Sequence, residues 1–203
     1  MKIALYLGSF NPFHNGHLEC VKSALNDFKM DKVIIVPTMQ NPWKEEKVLD
    51  IDKRIEIIIK SICDYMFVKG DPDFDYKNTD LKFCKWFLET LSKIRVSEIE
   101  KELIPPYYSY ATLHALKNKY CNDKVFVLVD SDTIKDIPNW MNGEAIIRDY
   151  DFLIVDRPKN SISSSSIREM LRTKNKMDAY YSDEKLARYV SPNIINLIKQ
   201  YYD

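Results

Sequence analysis

Glycine is nearly missing from this chain, with four residues in 203. Cysteine is also sparse: Cys20, Cys63, Cys84 and Cys121 stand far apart with no C-x-x-C pair. That argues against zinc ligation or a disulfide framework, and for reduced thiols in an intracellular protein, cytoplasmic or nuclear. Net charge is absent, because 30 basic and 30 acidic residues cancel. A bulk electrostatic case for nucleic acid or an anionic membrane goes with it. No apolar run approaches the ~18 residues of a bilayer span. The apolar run opening at residue 3 lacks a signal-peptide pattern. Repeats and low-complexity linkers are lacking too, apart from one serine run.

What is present is a rhythm of short apolar runs: Ile3–Leu7, Lys32–Pro37, Val125–Val129 and Phe152–Val155. Continuous, β-branched runs of this length suit strands buried on both faces of a parallel sheet. Helical patterns lie between them. Ile51, Ile55, Ile58, Ile59 and Ile62 form one stripe, with Asp50 or Asp52 as its cap. Leu113 and Leu116 mark a second helix beginning near Ser109. The alternation predicts an α/β fold: a doubly wound, Rossmann-like parallel sheet with helices on both faces. From Ser182 the chain reads as a helical C-terminal cap, restarted at Ser191-Pro192. Residues 70–93 break the rhythm and read as an insertion carrying a helix within a single 1–203 domain, followed by a strand at Arg95–Ile99. A surface elaboration or an oligomer contact is the expected role of the insertion, and a homo-oligomer is left open.

Two of the four glycines and two of the three histidines fall in one stretch, Gly8-Ser9-Phe10-Asn11-Pro12-Phe13-His14-Asn15-Gly16-His17. It follows the first apolar run and precedes Leu18, Val21, Leu25 and Phe28 at helical spacing, giving strand, tight loop, helix. Backbone amides and the helix dipole favour an anion at such a junction. Imidazoles add donors that are neutral or charged near pH 7. The loop therefore reads as a phosphate site.

The serine run is a second phosphate motif: Ile162-Ser163-Ser164-Ser165-Ser166-Ile167-Arg168. One serine would cap the helix that begins there, and others would present hydroxyls beside unsatisfied amides. Arg168, one turn in, adds a planar fork suited to phosphate oxygens.

The first stretch resembles the H-x-G-H signature of the nucleotidyltransferase superfamily, and the second its I-S-S-x-x-x-R signature. Pro37–Lys44 resembles the second loop of nicotinate/nicotinamide mononucleotide adenylyltransferases, with Trp43 where they usually carry His. Ser109-Tyr110-Ala111-Thr112-Leu113 resembles their S-Y-x-x-x-T-L segment, two residues shorter. Val129-Asp130-Ser131-Asp132, with Trp140, resembles their G-x-D…W segment, with Asp130 in place of glycine. Val155-Asp156-Arg157-Pro158 matches their V-x-R-P.

The resemblance implies that a mononucleotide 5′-phosphate attacks the α-phosphorus of ATP. The products are deamido-NAD, or NAD, and pyrophosphate, and Mg²⁺ is held mostly by ATP and water. It implies a catalytic set of His14, His17 and Arg168. ATP binding would fall to Gly8, Ser9, Phe10, Gly16, His17, Ile162, Ser163, Ser164 and Arg168. The mononucleotide would be held by Ser9, Phe10, Lys44, Tyr110, Thr112, Asp132 and Trp140, with no protein metal ligands. Trp140 would stack on the pyridine ring, Asp132 would bind a ribose hydroxyl, and Lys44 the mononucleotide phosphate. The alternatives are a pantetheine-phosphate adenylyltransferase, a cytidylyltransferase, or a non-catalytic nucleotide-binding module. A non-catalytic chain could dispense with His14, His17 or Arg168, yet all three are present.

Overall fold

The structure, a computed structural model, describes residues 1–39, 48–68, 88–156, 162–172 and 179–202. Its chain divides into two compact units: Met1–Ser9, Glu19–Val48 and Ile94–Ser161 form one, and Phe10–Leu18, Leu49–Lys93 and Ile162–Asp203 the other.

The first unit holds the sheet. Strands β1 (Lys2–Gly8), β2 (Lys32–Pro37), β3 (Ile94–Val96), β4 (Lys124–Asp130) and β5 (Asp151–Val155) pair in the order β3-β2-β1-β4-β5. Every pairing is parallel. Successive strand side chains point to opposite faces, and both sets are buried here. Ile3, Leu5, Ile34, Val36, Val127 and Val129 share a core with Leu113 and Leu116 of helix α3 (Ser109–Lys119) and Ile146 of helix α5 (Gly143–Asp149). Their alternates Ala4, Tyr6, Val33, Ile35 and Leu128 are equally enclosed. Each such aliphatic contributes about 1.5–3 kcal/mol when fully buried, which explains why these strands read as continuous apolar runs. Helix α4 (Thr133–Asp136) follows β4 directly. The strand order reverses at β1, so the carboxyl ends of β1 and β4 form the switch point where such sheets bind ligands.

Helix α1 (Asn15–Asn26) starts in the second unit and runs on into the first. The second unit also carries α2 (Ile51–Val68), α6 (Ser164–Arg172), α7 (Ala179–Ala187) and α8 (Ile195–Tyr202). Asp50 is the cap of α2, its Oδ1 accepting the Asp52 N–H at 2.9 Å. Two boundaries differ from expectation. Strand β3 stops at Val96, because Ile99–Glu102 turns into a 3-10 helix that buries Ile99 and Glu100. The restart at Pro192 begins as a 3-10 turn, Pro192–Ile194, before α8. Of the expected insertion, residues 70–87 lie outside the described residues, and 88–92 are helical. Among the described residues, no helix is long and apolar enough to cross a membrane.

Candidate active site

β1 delivers Gly8 to the carboxyl edge, where its carbonyl accepts the Thr38 N–H at 2.9 Å. Gly8 and Ser9 are half-buried. Beyond them the loop folds back on itself. Phe10 takes a left-handed backbone, φ 45°, a conformation that costs a bulky residue strain and persists only when its surroundings impose it. The Phe10 ring packs edge-on to Phe13 and to His17, with centroids 5.5 and 5.0 Å away. His14 and His17 lie face to face, their centroids 3.7 Å apart.

His17 Nδ1 accepts the backbone N–H of His14 at 3.1 Å. An amide can only donate, so the neutral imidazole must carry its proton on Nε2. The loop thereby fixes His17 as an Nε2–H donor. Gly16 sits between the two histidines for a steric reason. A Cβ at this position would meet Cε1 and Nδ1 of His14 at 3.1 Å. The Asn15 amide, at the start of α1, donates to the Tyr189 carbonyl at 2.7 Å.

Helix α6 comes to the same loop. Ser163 is its cap, as expected for this run: its Oγ accepts the Ser166 N–H at 3.1 Å. Ile162, just ahead, is half-buried. The Ser164 hydroxyl donates to the Pro12 carbonyl at 2.9 Å. Arg168 donates through Nη1 to the Asn11 carbonyl at 2.6 Å and through Nη2 to Ser165 Oγ at 3.1 Å. Thus His14, Gly16, His17, Ser164 and Arg168 gather in one unit. The serine and arginine hold the backbone of the histidine loop, a role the sequence alone did not indicate.

The residues expected to meet the mononucleotide belong to the first unit, except Phe10 in the histidine loop and Lys44, which is outside the described residues. Tyr110 is half-buried on the first turn of α3. Thr112 is fully enclosed, and its hydroxyl donates to Glu100 Oε1 at 2.7 Å. Asp132 is exposed and lies 3.4 Å from Lys135 Nζ. Trp140 is half-buried and packs against the sheet core. It follows the 3-10 turn Ile137–Asn139, and its carbonyl accepts the Gly143 N–H at 2.9 Å. A Cβ on Gly143 would stand 1.9 Å from the Ile137 carbonyl oxygen, so this turn admits only glycine.

Two residues, Glu100 and Asn11, went unsignalled as site residues, and a third, Asp130, stood out only as a departure from the family glycine. Asp130 replaces a family glycine and is nine-tenths buried. Its Oδ1 accepts the Asp132 and Thr133 amides at 3.2 and 2.7 Å, bracketing the start of α4. Glu100 is fully enclosed and accepts from Thr112 and from the Met39 N–H at 2.5 Å. Asn11, inside the motif, accepts at both its carbonyl and its side chain. Only the position of Asn11 within the motif could have flagged it. Glu100 has no local pattern around it.

The cytidylyltransferase-like family model matches residues 5–170. The nicotinate-nucleotide adenylyltransferase of Bacillus subtilis is 26% identical over 95% of this chain and 96% of its own length. The probable nicotinate-nucleotide adenylyltransferase of Fusobacterium nucleatum is 31% identical over 86% of this chain and 77% of its own. Among solved structures, the Plasmodium falciparum nicotinic acid mononucleotide adenylyltransferase complexed with NaAD superposes with a TM-score of 0.67. It is 19% identical and covers 100% of this chain and 97% of its own. The chain belongs to the cytidylyltransferase-like nucleotidyltransferases and, among them, to the nicotinate-nucleotide adenylyltransferases.

Proposed function

We propose that this chain transfers the adenylyl group of ATP to nicotinate mononucleotide, forming deamido-NAD and pyrophosphate in NAD biosynthesis. The observation that carries the reading is the pair of stacked imidazoles at the head of α1, in a chain of this family. An oxygen of the mononucleotide 5′-phosphate bonds to Pα of ATP. The bond from Pα to the oxygen bridging it to Pβ breaks, and that oxygen leaves with pyrophosphate. The nucleophile is already an anion, so no base need take a proton. The barrier is electrostatic and geometric: two polyanions must meet and stay aligned.

His17 Nε2–H donates to an α-phosphoryl oxygen, and His14 to the β- or γ-phosphate. Arg168 serves the leaving pyrophosphate, with its guanidinium seated at the histidine loop by its bond to the Asn11 carbonyl. The Ser164 proton is committed to Pro12, so Ser164 reaches phosphate only by exchanging that bond. Trp140 offers an indole to the pyridine ring, and Asp132 a carboxylate to the ribose.

Among the described residues, no group of three or more His, Cys, Asp or Glu gathers to hold a metal ion. The loop's donors, imidazole and amide, suit phosphate oxygens. A magnesium ion arriving on ATP would be held by the phosphates and water rather than by these donors, and would offset triphosphate charge.

The test is steady-state turnover of ATP with nicotinate mononucleotide, and separately with the amide, following dinucleotide and pyrophosphate. The acid should give the higher kcat/KM. Absence of pyrophosphate release with either would refute the reading. His17→Ala should fold normally and lose ~10²-fold or more in kcat, as one preorganised donor is lost. Near-normal turnover in folded H17A would remove His17 from the chemistry.

A further inference from the structure

The histidine loop is held from a point 191 residues away in sequence. The Tyr202 hydroxyl, on the last turn of α8, donates to Asn11 Oδ1 at 2.5 Å. The same Oδ1 accepts the Leu49 N–H, at a longer 3.3 Å. Leu49 is fixed in turn by Arg54, whose buried Nε donates to the Leu49 carbonyl at 2.6 Å. The Asn11 carbonyl takes the Arg168 bond, and Asn11 itself is 4% exposed. Its neighbour is the strained Phe10, φ 45°. A bulky left-handed residue stays put only while contacts on either side over-determine it. The Phe10 ring supplies one set of contacts, through Phe13 and His17. Asn11 supplies the other.

We propose that Tyr202 is a positioning residue for adenylyl transfer: through Asn11 it fixes the loop that presents His14 and His17. The inference rests on the assignment of that loop to the ATP phosphates. Tyr202 itself touches no reacting atom. Without its hydroxyl, Asn11 Oδ1 keeps, among the described residues, only the long bond to Leu49, and the loop can relax around Phe10. A relaxed loop presents the imidazoles less often in reactive geometry, which lowers kcat. The mononucleotide KM should follow only as far as Phe10 takes part, since Tyr110, Asp132 and Trp140 belong to the other unit.

The helix supplies its own control. Tyr201 is adjacent, and its hydroxyl donates to Glu56 on α2, away from the loop. Tyr201→Phe and Tyr202→Phe each remove one hydroxyl from the same turn. Kinetics and thermal melts on the full chain separate a positioning role from a merely structural one. Tyr202→Phe should lower kcat by about 3–10-fold, the worth of one hydrogen bond, with a smaller change in mononucleotide KM than in kcat. Tyr201→Phe should retain wild-type kcat even where its melting temperature falls as far. Asn11→Ala removes the acceptor and should reproduce the kcat loss, which keeps the test decisive if Tyr202→Phe does not fold. Combined with Tyr202→Phe, it should add little. A wild-type kcat in Tyr202→Phe or Asn11→Ala, or an equal loss in Tyr201→Phe, would overturn the proposal. His17→Ala in the same panel keeps the two readings apart. If it is slow while Tyr202→Phe is normal, only this inference fails; if His17→Ala is fast, the loop's assignment fails.

Discussion

Gly16 shows how one missing methyl group serves the site. Its neighbours are the stacked imidazoles, and a Cβ would sit 3.1 Å from His14. The ring would have to yield by a few tenths of an ångström. Alanine is the better helix former by about 0.5–1 kcal/mol. Gly16→Ala should therefore melt no lower than wild type, while kcat falls roughly tenfold through displacement of His14. Paired melting and turnover measurements check this; unchanged turnover would place His14 away from the chemistry. The His17 tautomer is the complementary case, since one backbone amide decides which nitrogen carries the proton.

Among the elements, the caps were the most legible feature. Serine before Ile167 and aspartate before Ile51 announce helix starts, and Ser163 and Asp50 make those bonds. Ser163→Ala should cost about 0.5–2 kcal/mol, read as a lower denaturation midpoint at unchanged slope. Because α6 holds the loop through Ser164 and Arg168, a loosened first turn should also lower kcat. A stability loss without any kinetic effect would show that α6 holds the loop independently of its cap. Asp130 is the less legible counterpart. From sequence it stands out only as a departure from the family glycine. In the fold it is turned inward onto the amides of Asp132 and Thr133.

At the scale of the whole molecule, the Tyr150 phenol, at the foot of β5, has a clearly displaced ionisation. Burial, with the nearby Tyr110 and Asp149, pushes its phenol from an ordinary value of 10 up to about 12. The Lys117 ammonium lies 4.8 Å from its ring centroid. The folded state thus holds this proton more tightly than the unfolded chain does. Its contribution is complete below pH 10 and is lost as pH rises towards 12. Alkaline melts should show wild type losing stability across that window, and Tyr150→Phe losing measurably less. Parallel curves for the two proteins would mean that Tyr150 ionises freely in the fold.

Much of this protein was determined by sequence alone. The strands are short and β-branched because both faces of the sheet are covered, and that pattern survives in one dimension. The two phosphate motifs are contiguous, so their chemistry is readable without a fold. What only the tertiary structure decided are the contacts between residues distant in the chain. Ser164 and Arg168 read as phosphate ligands, and the fold shows them bonded to Pro12 and Asn11. Thr112 reads as a substrate contact, and the fold commits its hydroxyl to the enclosed Glu100. Tyr202 carries no motif at all, yet it ends on Asn11. Local propensity and spacing encode what a residue is able to do. Which partner takes its hydrogen bond depends on what packing brings within 3 Å, and that is settled only when distant segments fold together.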